Sequence, residues 1–98
     1  QATDISPESE VAWLNRANAL VDLRKGDEAL EAFGRALKVD PAYGKAWYNK
    51  GVLLLSMGRT GDALDCFEEV LGLSPGDERA MGMRARCYAA LGVSKAEG

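Results

Sequence analysis

The chain has 98 residues, 47% hydrophobic and 28% charged, with a net charge of −3. That length suits one small domain, 1–98, and the absence of a basic run excludes the electrostatic footprint of a nucleic-acid binder. No apolar stretch approaches the roughly 18 residues of a membrane span, so neither nucleic acid nor membrane is an expected partner. There is no histidine, so Ser–His and Cys–His pairs are unavailable and no enzyme is expected. Cys66 and Cys87 fall short of the four ligands a structural zinc takes. No metal or cofactor is expected. Both cysteines read as free thiols acting as small side chains, which leans towards a reducing, cytoplasmic compartment. No signal-peptide pattern opens the chain. Its first residue is Gln1 and not Met, as in a processed product or an excised piece.

In chain order, Ser6-Pro7-Glu8 reads as a helix start, with Ser as cap, Pro in the first turn and an acid at the positive end. Apolar residues then recur on more than one stripe through Val11, Leu14, Ala17 and Val21, predicting a helix over 7–24 touched on two sides. Gly26 should stop it. Asp27 is the expected cap of a second helix, 28–39, with Ala29, Leu30, Phe33, Ala36 and Leu37 inward. Asp40-Pro41 separates this from a third helix, 42–57, ending at Gly58. Thr60 should cap a fourth, 61–72, buried through Ala63, Leu64, Phe67 and Leu71. Ser74-Pro75, with Asp77 in the first turn, opens a fifth, 76–91, closed by Gly92.

The order of these elements conceals a period. Pro7, Pro41 and Pro75 stand 34 residues apart, and the same shift lays Ala12 on Ala46, Trp13 on Trp47, Asn15 on Asn49 and Leu20 on Leu54. It continues through Ala29 on Ala63, Phe33 on Phe67 and Leu37 on Leu71. A fixed period of this size marks a stacked-repeat architecture. The middle copy, with Trp47, Gly51, Leu54, Gly58, Ala63, Phe67 and Pro75, resembles the tetratricopeptide repeat (TPR), a helix–turn–helix unit of about 34 residues. The first copy carries Trp13, Ala17, Leu20, Ala29, Phe33, Ala36 and Pro41, and the third begins with Met81, Ala85, Tyr88 and Gly92. The resemblance implies an all-α fold, a right-handed superhelical stack of antiparallel helix pairs. Five helices would make about two and a half repeats, at 7–40, 41–74 and a partial 75–98. Small residues at Ala17, Gly51 and Ala85 should let the helices of each pair approach.

Three departures from the family pattern stand out. Arg16, Lys50 and Arg84 replace an apolar residue, and their stems are expected to pack while their heads reach acids such as Glu31 or Asp65. Arg24 stands where a turn glycine belongs, so that turn should differ locally. The third copy lacks its second helix, which leaves Met81, Ala85 and Tyr88 as an open stripe for self-association, the alternative function and a route to a homodimer.

The resemblance further implies that the first helices of the repeats line an inner face that cradles a peptide or a partner helix. The positions it points to are Leu14, Asn15, Asn18, Lys45, Tyr48, Asn49, Val52, Arg79, Met83 and Arg86, with Val21 and Ser56 beside them. Amides there can bond an extended main chain, and cations can hold a carboxylate. Some family members grip a chaperone's acidic C-terminus with a clamp of Lys, Asn and Arg. Asn18, Asn49 and Arg79 suit that pattern, but Leu14 and Met83 take a Lys and an Arg position. The clamp is therefore not the expected mode.

Overall fold

A computed structural model describes residues 9–92 of the chain. Five helices follow one another: α1 Glu10–Asp22, α2 Gly26–Val39, α3 Gly44–Ser56, α4 Thr60–Leu73 and α5 Glu78–Leu91. There is no strand among the described residues. Consecutive helices pack as pairs, α1 on α2 and α3 on α4, and α5 adds to α4. The stack measures 55 × 28 × 16 Å.

The second helix of each pair buries one clean stripe. On α2 these are Ala29, Ala32, Phe33, Ala36 and Leu37; on α4 they are Ala63, Cys66, Phe67 and Val70. Both sets follow the i, i+3, i+4, i+7 spacing of a single helical face. Phe33 and Phe67 are wholly buried, each contributing about 1.5–3 kcal/mol by removal from water. Leu30, Leu64 and Leu71, expected inward, are half-buried.

Gly51 shows why small residues sit on the first helices. A Cβ there would meet the Phe67 ring at 2.8 Å and the Cys66 Cβ at 3.1 Å. Ala17 is buried in the same register. Ala85, third in that register, is exposed, as no helix covers it among the described residues.

The core falls into two clusters. One gathers Leu14, Phe33, Leu37 and Leu53; the other gathers Leu54, Cys66, Phe67 and Cys87. Leu30 and Trp47 pack against both and tie the first pair to the second. Such nearest-neighbour packing gives a solenoid its stability.

The helix starts differ from the sequence expectation. The first start, read at Ser6-Pro7-Glu8, lies outside the described residues, but α1 begins later, with Ser9 as cap accepting from the Ala12 N–H at 3.1 Å. Asp40 and Ser74 are extended residues that close turns over Pro41 and Pro75, accepting through their carbonyls from Tyr43 and Asp77 at 3.0 Å. Proline thus occupies the second position of a β-turn, where its fixed φ is already suited. The caps fall two residues after each proline, at Tyr43 and Asp77, and Asp77 Oδ1 accepts from the N–H groups of Arg79 and Ala80. Asp27 and Thr60 lie inside their helices, whose cap positions are Lys25 and Arg59, without side-chain capping bonds.

The turn at Arg24 does not differ. Arg24, Gly58 and Gly92 have φ of 63°, 81° and 75°, one left-handed residue per repeat in strict register. The first two turns share a bond, Lys25 N–H to Leu20 O at 2.8 Å and Arg59 N–H to Leu54 O at 2.9 Å. Arg24 therefore accepts a conformation that favours glycine.

Candidate functional site

Along α3, Lys45, Tyr48, Asn49, Val52 and Ser56 recur at the spacing of one helical stripe, and Leu14, Asn15, Asn18 and Val21 do the same on α1. The inner stripes of α1 and α3 meet at an amide pair. Asn49 Nδ2 donates to Asn18 Oδ1 at 3.3 Å, in a half-buried position. Each amide has two N–H donors and one acceptor oxygen, so one mutual bond leaves the pair with free donors and a free acceptor, whichever way the amides are turned.

Around this pair lies a groove of about 450 Å³, lined by Leu14, Asn15, Asn18, Lys45, Tyr48, Asn49 and Arg79 of the expected set. Tyr48 forms its aromatic wall. Its ring meets Phe67 edge-on at 5.7 Å, and the Arg79 guanidinium lies 5.0 Å from its centroid. This contact spans the step from the second repeat to the third. Lys45 and Arg79 are exposed, and no ion pair engages either among the described residues. Leu14 is only 6% exposed and serves as floor more than as contact.

A second groove of about 520 Å³ continues past Asn18, Tyr48 and Asn49 to Val21, Val52, Leu53 and Ser56. Val52 therefore lines the adjoining lobe. Met83 and Arg86 line neither. Met83 packs partly buried against the second core cluster, and Arg86 is exposed elsewhere.

Sequence reasoning missed Val70, Leu73, Ser74 and Asp77, which close the first groove from the end of α4 and the connection to α5. Periodicity assigns faces to helices; how far a connecting loop reaches over a neighbour depends on the stacking.

The cations at 16 and 50 also behave otherwise than expected. Arg16 lies 5.9 Å from the Trp13 ring centroid and Lys50 5.4 Å from that of Trp47, and Arg35 adds a second cation at 5.7 Å from Trp13. Neither Arg16 nor Lys50 pairs with Glu31 or Asp65 among the described residues. Each cation instead lies over the indole three residues earlier on the same helix. The two Trp residues thus play one role twice. At the third position Met81 offers no ring to Arg84.

No group of three or more Cys, Asp or Glu side chains that could hold a metal ion occurs among the described residues. Among the described residues no helix is long and apolar enough to cross a membrane. Burial holds the Cys87 thiol above its ordinary value. Cys66 is pushed from 9.0 up to about 11, first by burial, with Lys50 opposing and Asp65, Asp62 and Glu69 adding to the rise.

Helix pairs repeating every 34 residues around an inner groove define an α-solenoid of the kind that serves as an interaction scaffold. The chain belongs to the tetratricopeptide repeat family, whose model matches residues 14–78 and 53–93. No curated protein matches the sequence significantly. Among solved structures it is similar to the crystal structure of MamA protein, with a TM-score of 0.86 and 25% identity over 91% of this chain and 49% of that one. It is also similar to the first TPR of Spaghetti (RPAP3) bound to the HSP90 peptide SRMEEVD, with a TM-score of 0.84 and 27% identity over 91% of this chain and 71% of that one. The first TPR domain of human RPAP3 gives 0.83 and 27%, over 91% and 70%. The chain spans about half the length of the MamA structures.

Proposed function

We propose that this chain is a non-enzymatic interaction module that holds a peptide of a partner protein on the inner face formed by α1, α3 and the start of α5. One observation carries the reading. The Asn18–Asn49 pair shares one groove with the Tyr48 ring and two exposed cations, Lys45 and Arg79, neither of them ion-paired among the described residues. Free donors and acceptors suit a main chain in extended form, whose own N–H and C=O groups are unsatisfied. The cations suit an acidic side chain on that ligand. That the similar first TPR of Spaghetti is seen with a short acidic peptide supports the class of ligand.

A chaperone-tail clamp is not part of the proposal. Leu14 and Met83, at two of its cationic positions, are apolar and turned into the core clusters. Acting as a single domain, the module would work where its free thiols stay reduced, as in the cytoplasm.

The test is a titration of fluorescein-labelled nonapeptides, acidic and neutral, followed by anisotropy and by Trp and Tyr emission. Acidic peptides should bind more tightly, and Lys45→Glu with Arg79→Glu should weaken them about tenfold or more. Equal binding by the double variant would overturn the reading.

A second reading has its own observation. Met81 is 39% exposed and Ala85 is exposed, on the flank of α5 that carries no helix among the described residues, whereas Tyr88, expected in the same stripe, is half-buried and its hydroxyl donates to Glu68 Oε2 at 3.4 Å. This stripe favours self-association.

A further inference from the structure

We infer that the second repeat carries a docking point for an arginine side chain of a partner protein, beside the Trp47 ring and between the carboxylates of Asp65 and Glu69. The cavity at Trp47 shares no lining residue with either inner groove, so binding there is independent of the peptide reading above.

The first repeat holds the complete arrangement within one chain. Trp13 has two cations at its ring, Arg16 from its own helix and Arg35 from α2. Arg35 is also paired with Glu31 at 3.7 Å. A guanidinium suits both contacts at once, because its flat face lies on an aromatic ring while its N–H edge meets a carboxylate. The shift of 34 lays Trp13 on Trp47, Arg16 on Lys50 and Glu31 on Asp65, but it lays Arg35 on Glu69. Lys50 repeats the part of Arg16, at 5.4 Å from the Trp47 centroid. No second cation reaches that ring among the described residues.

Charge and space change with that one reversal. Helix α4 carries the acids Asp62, Asp65, Glu68 and Glu69 and no Lys or Arg. Asp62 is paired with Arg59 at 3.0 Å, and Glu68 accepts from the Tyr88 hydroxyl at 3.4 Å. Asp65 and Glu69 are exposed and have no ion pair among the described residues. One helical turn apart, their like charges repel, and a cation between them relieves the repulsion. The cavity at Trp13, with Arg35 in its wall, holds about 180 Å³, whereas the one at Trp47 holds about 470 Å³.

The larger cavity fits an arginine along its whole length. Leu30, Trp47 and Leu54 line it together with Glu31 and Asp65, so apolar walls can shelter the aliphatic stem while carboxylates receive the head. Trp47 is set in advance, since its indole N–H donates to the Pro41 carbonyl at 2.8 Å. Lysine fits less well, being a hydrated point charge that cannot stack on the ring and bridge two carboxylates together.

The probes are Ser/Gly-based nonapeptides with one central Arg, Lys or citrulline, the last an uncharged isostere of arginine. Each is titrated into ¹⁵N-labelled protein while the indole N–H resonances of Trp13 and Trp47 are followed. The Arg peptide should shift Trp47 with half-saturation on the order of 1 mM and leave Trp13 in place. The citrulline peptide should move neither. Glu69→Arg supplies in the second repeat what Arg35 supplies in the first, and should weaken the Arg peptide about tenfold or more. Arg35→Glu should make Trp13 respond as well. Both are surface changes, and circular dichroism checks that the variants keep their helices. Equal shifts of the two indoles in the parent protein, or unchanged binding in Glu69→Arg, would overturn the site. Equal binding by the Lys peptide would reduce it to bare charge attraction and overturn the arginine assignment. A Trp47 shift that grows with protein concentration, with no peptide added, would put another copy's arginine there and overturn the separate partner.

Discussion

At the scale of single residues, Arg24 is the one non-glycine at positive φ among the described residues, where an L side chain clashes with the following carbonyl. Arg24→Gly should remove that strain at the cost of a freer unfolded chain, for a net gain of about 0.5–1 kcal/mol. Urea unfolding should show a higher midpoint with an unchanged slope. A lower midpoint would mean that the Arg24 side chain contributes more than its backbone loses. Cys66 gives a pH prediction. Its folded thiol is raised from 9.0 to about 11 by burial, so below pH 9 both states hold the proton and the full stability is present. Between pH 9 and about 11 the unfolded chain sheds the proton and the folded chain keeps it, so stability falls as pH rises. The drop in urea midpoint from pH 8 to pH 10.5 should be shallower in Cys66→Ala. An identical drop in both proteins would remove the burial argument.

At the scale of elements, the helix starts separate what a local motif shows from what a turn does with it. Ser74-Pro75 has the composition of a cap followed by a first-turn proline. Yet Ser74 is extended and its carbonyl closes a turn, while Asp77 accepts two helix N–H groups. Asp77→Ala should therefore cost about 1 kcal/mol, read as a fall in Tm of roughly 4–8 °C for a domain of this size. Ser74→Ala should stay within about 0.5 kcal/mol of the parent, as surface changes do. The reverse ranking would restore the cap to Ser74. The same local ambiguity moved the starts of α2 and α4 to Gly26 and Thr60. Asp27 and Thr60 are good cap residues, but the left-handed turn just before them had already set the chain's direction.

For the molecule as a whole, the two core clusters joined by Leu30 and Trp47 make each pair depend on its neighbour. The free flank of α5 tests that dependence. If the Met81–Ala85 stripe pairs with a second copy, sedimentation velocity should show a rising coefficient with concentration, and Met81→Lys with Ala85→Glu should abolish the rise. A monomer at every concentration would leave the peptide reading standing alone.

The amino-acid sequence by itself determined the architecture. Its period of 34, the Ala and Phe stripes of α2 and α4, and the small residues at 17 and 51 all demand helix pairs that cover one another. These are local properties, because a helix face is fixed by spacing alone. The same spacing brought seven of the ten expected inner-face residues into one groove and Val52 into the next. What only the tertiary structure decided was the contact between elements. It turned Arg16 and Lys50 onto indole rings, joined Asn18 to Asn49 and folded the α4–α5 connection over the groove. It also set Met83 partly buried against the second core cluster and left Arg86 exposed outside both grooves. Each of these depends on the distance between two helices far apart in the chain, and no periodicity along one of them contains that distance.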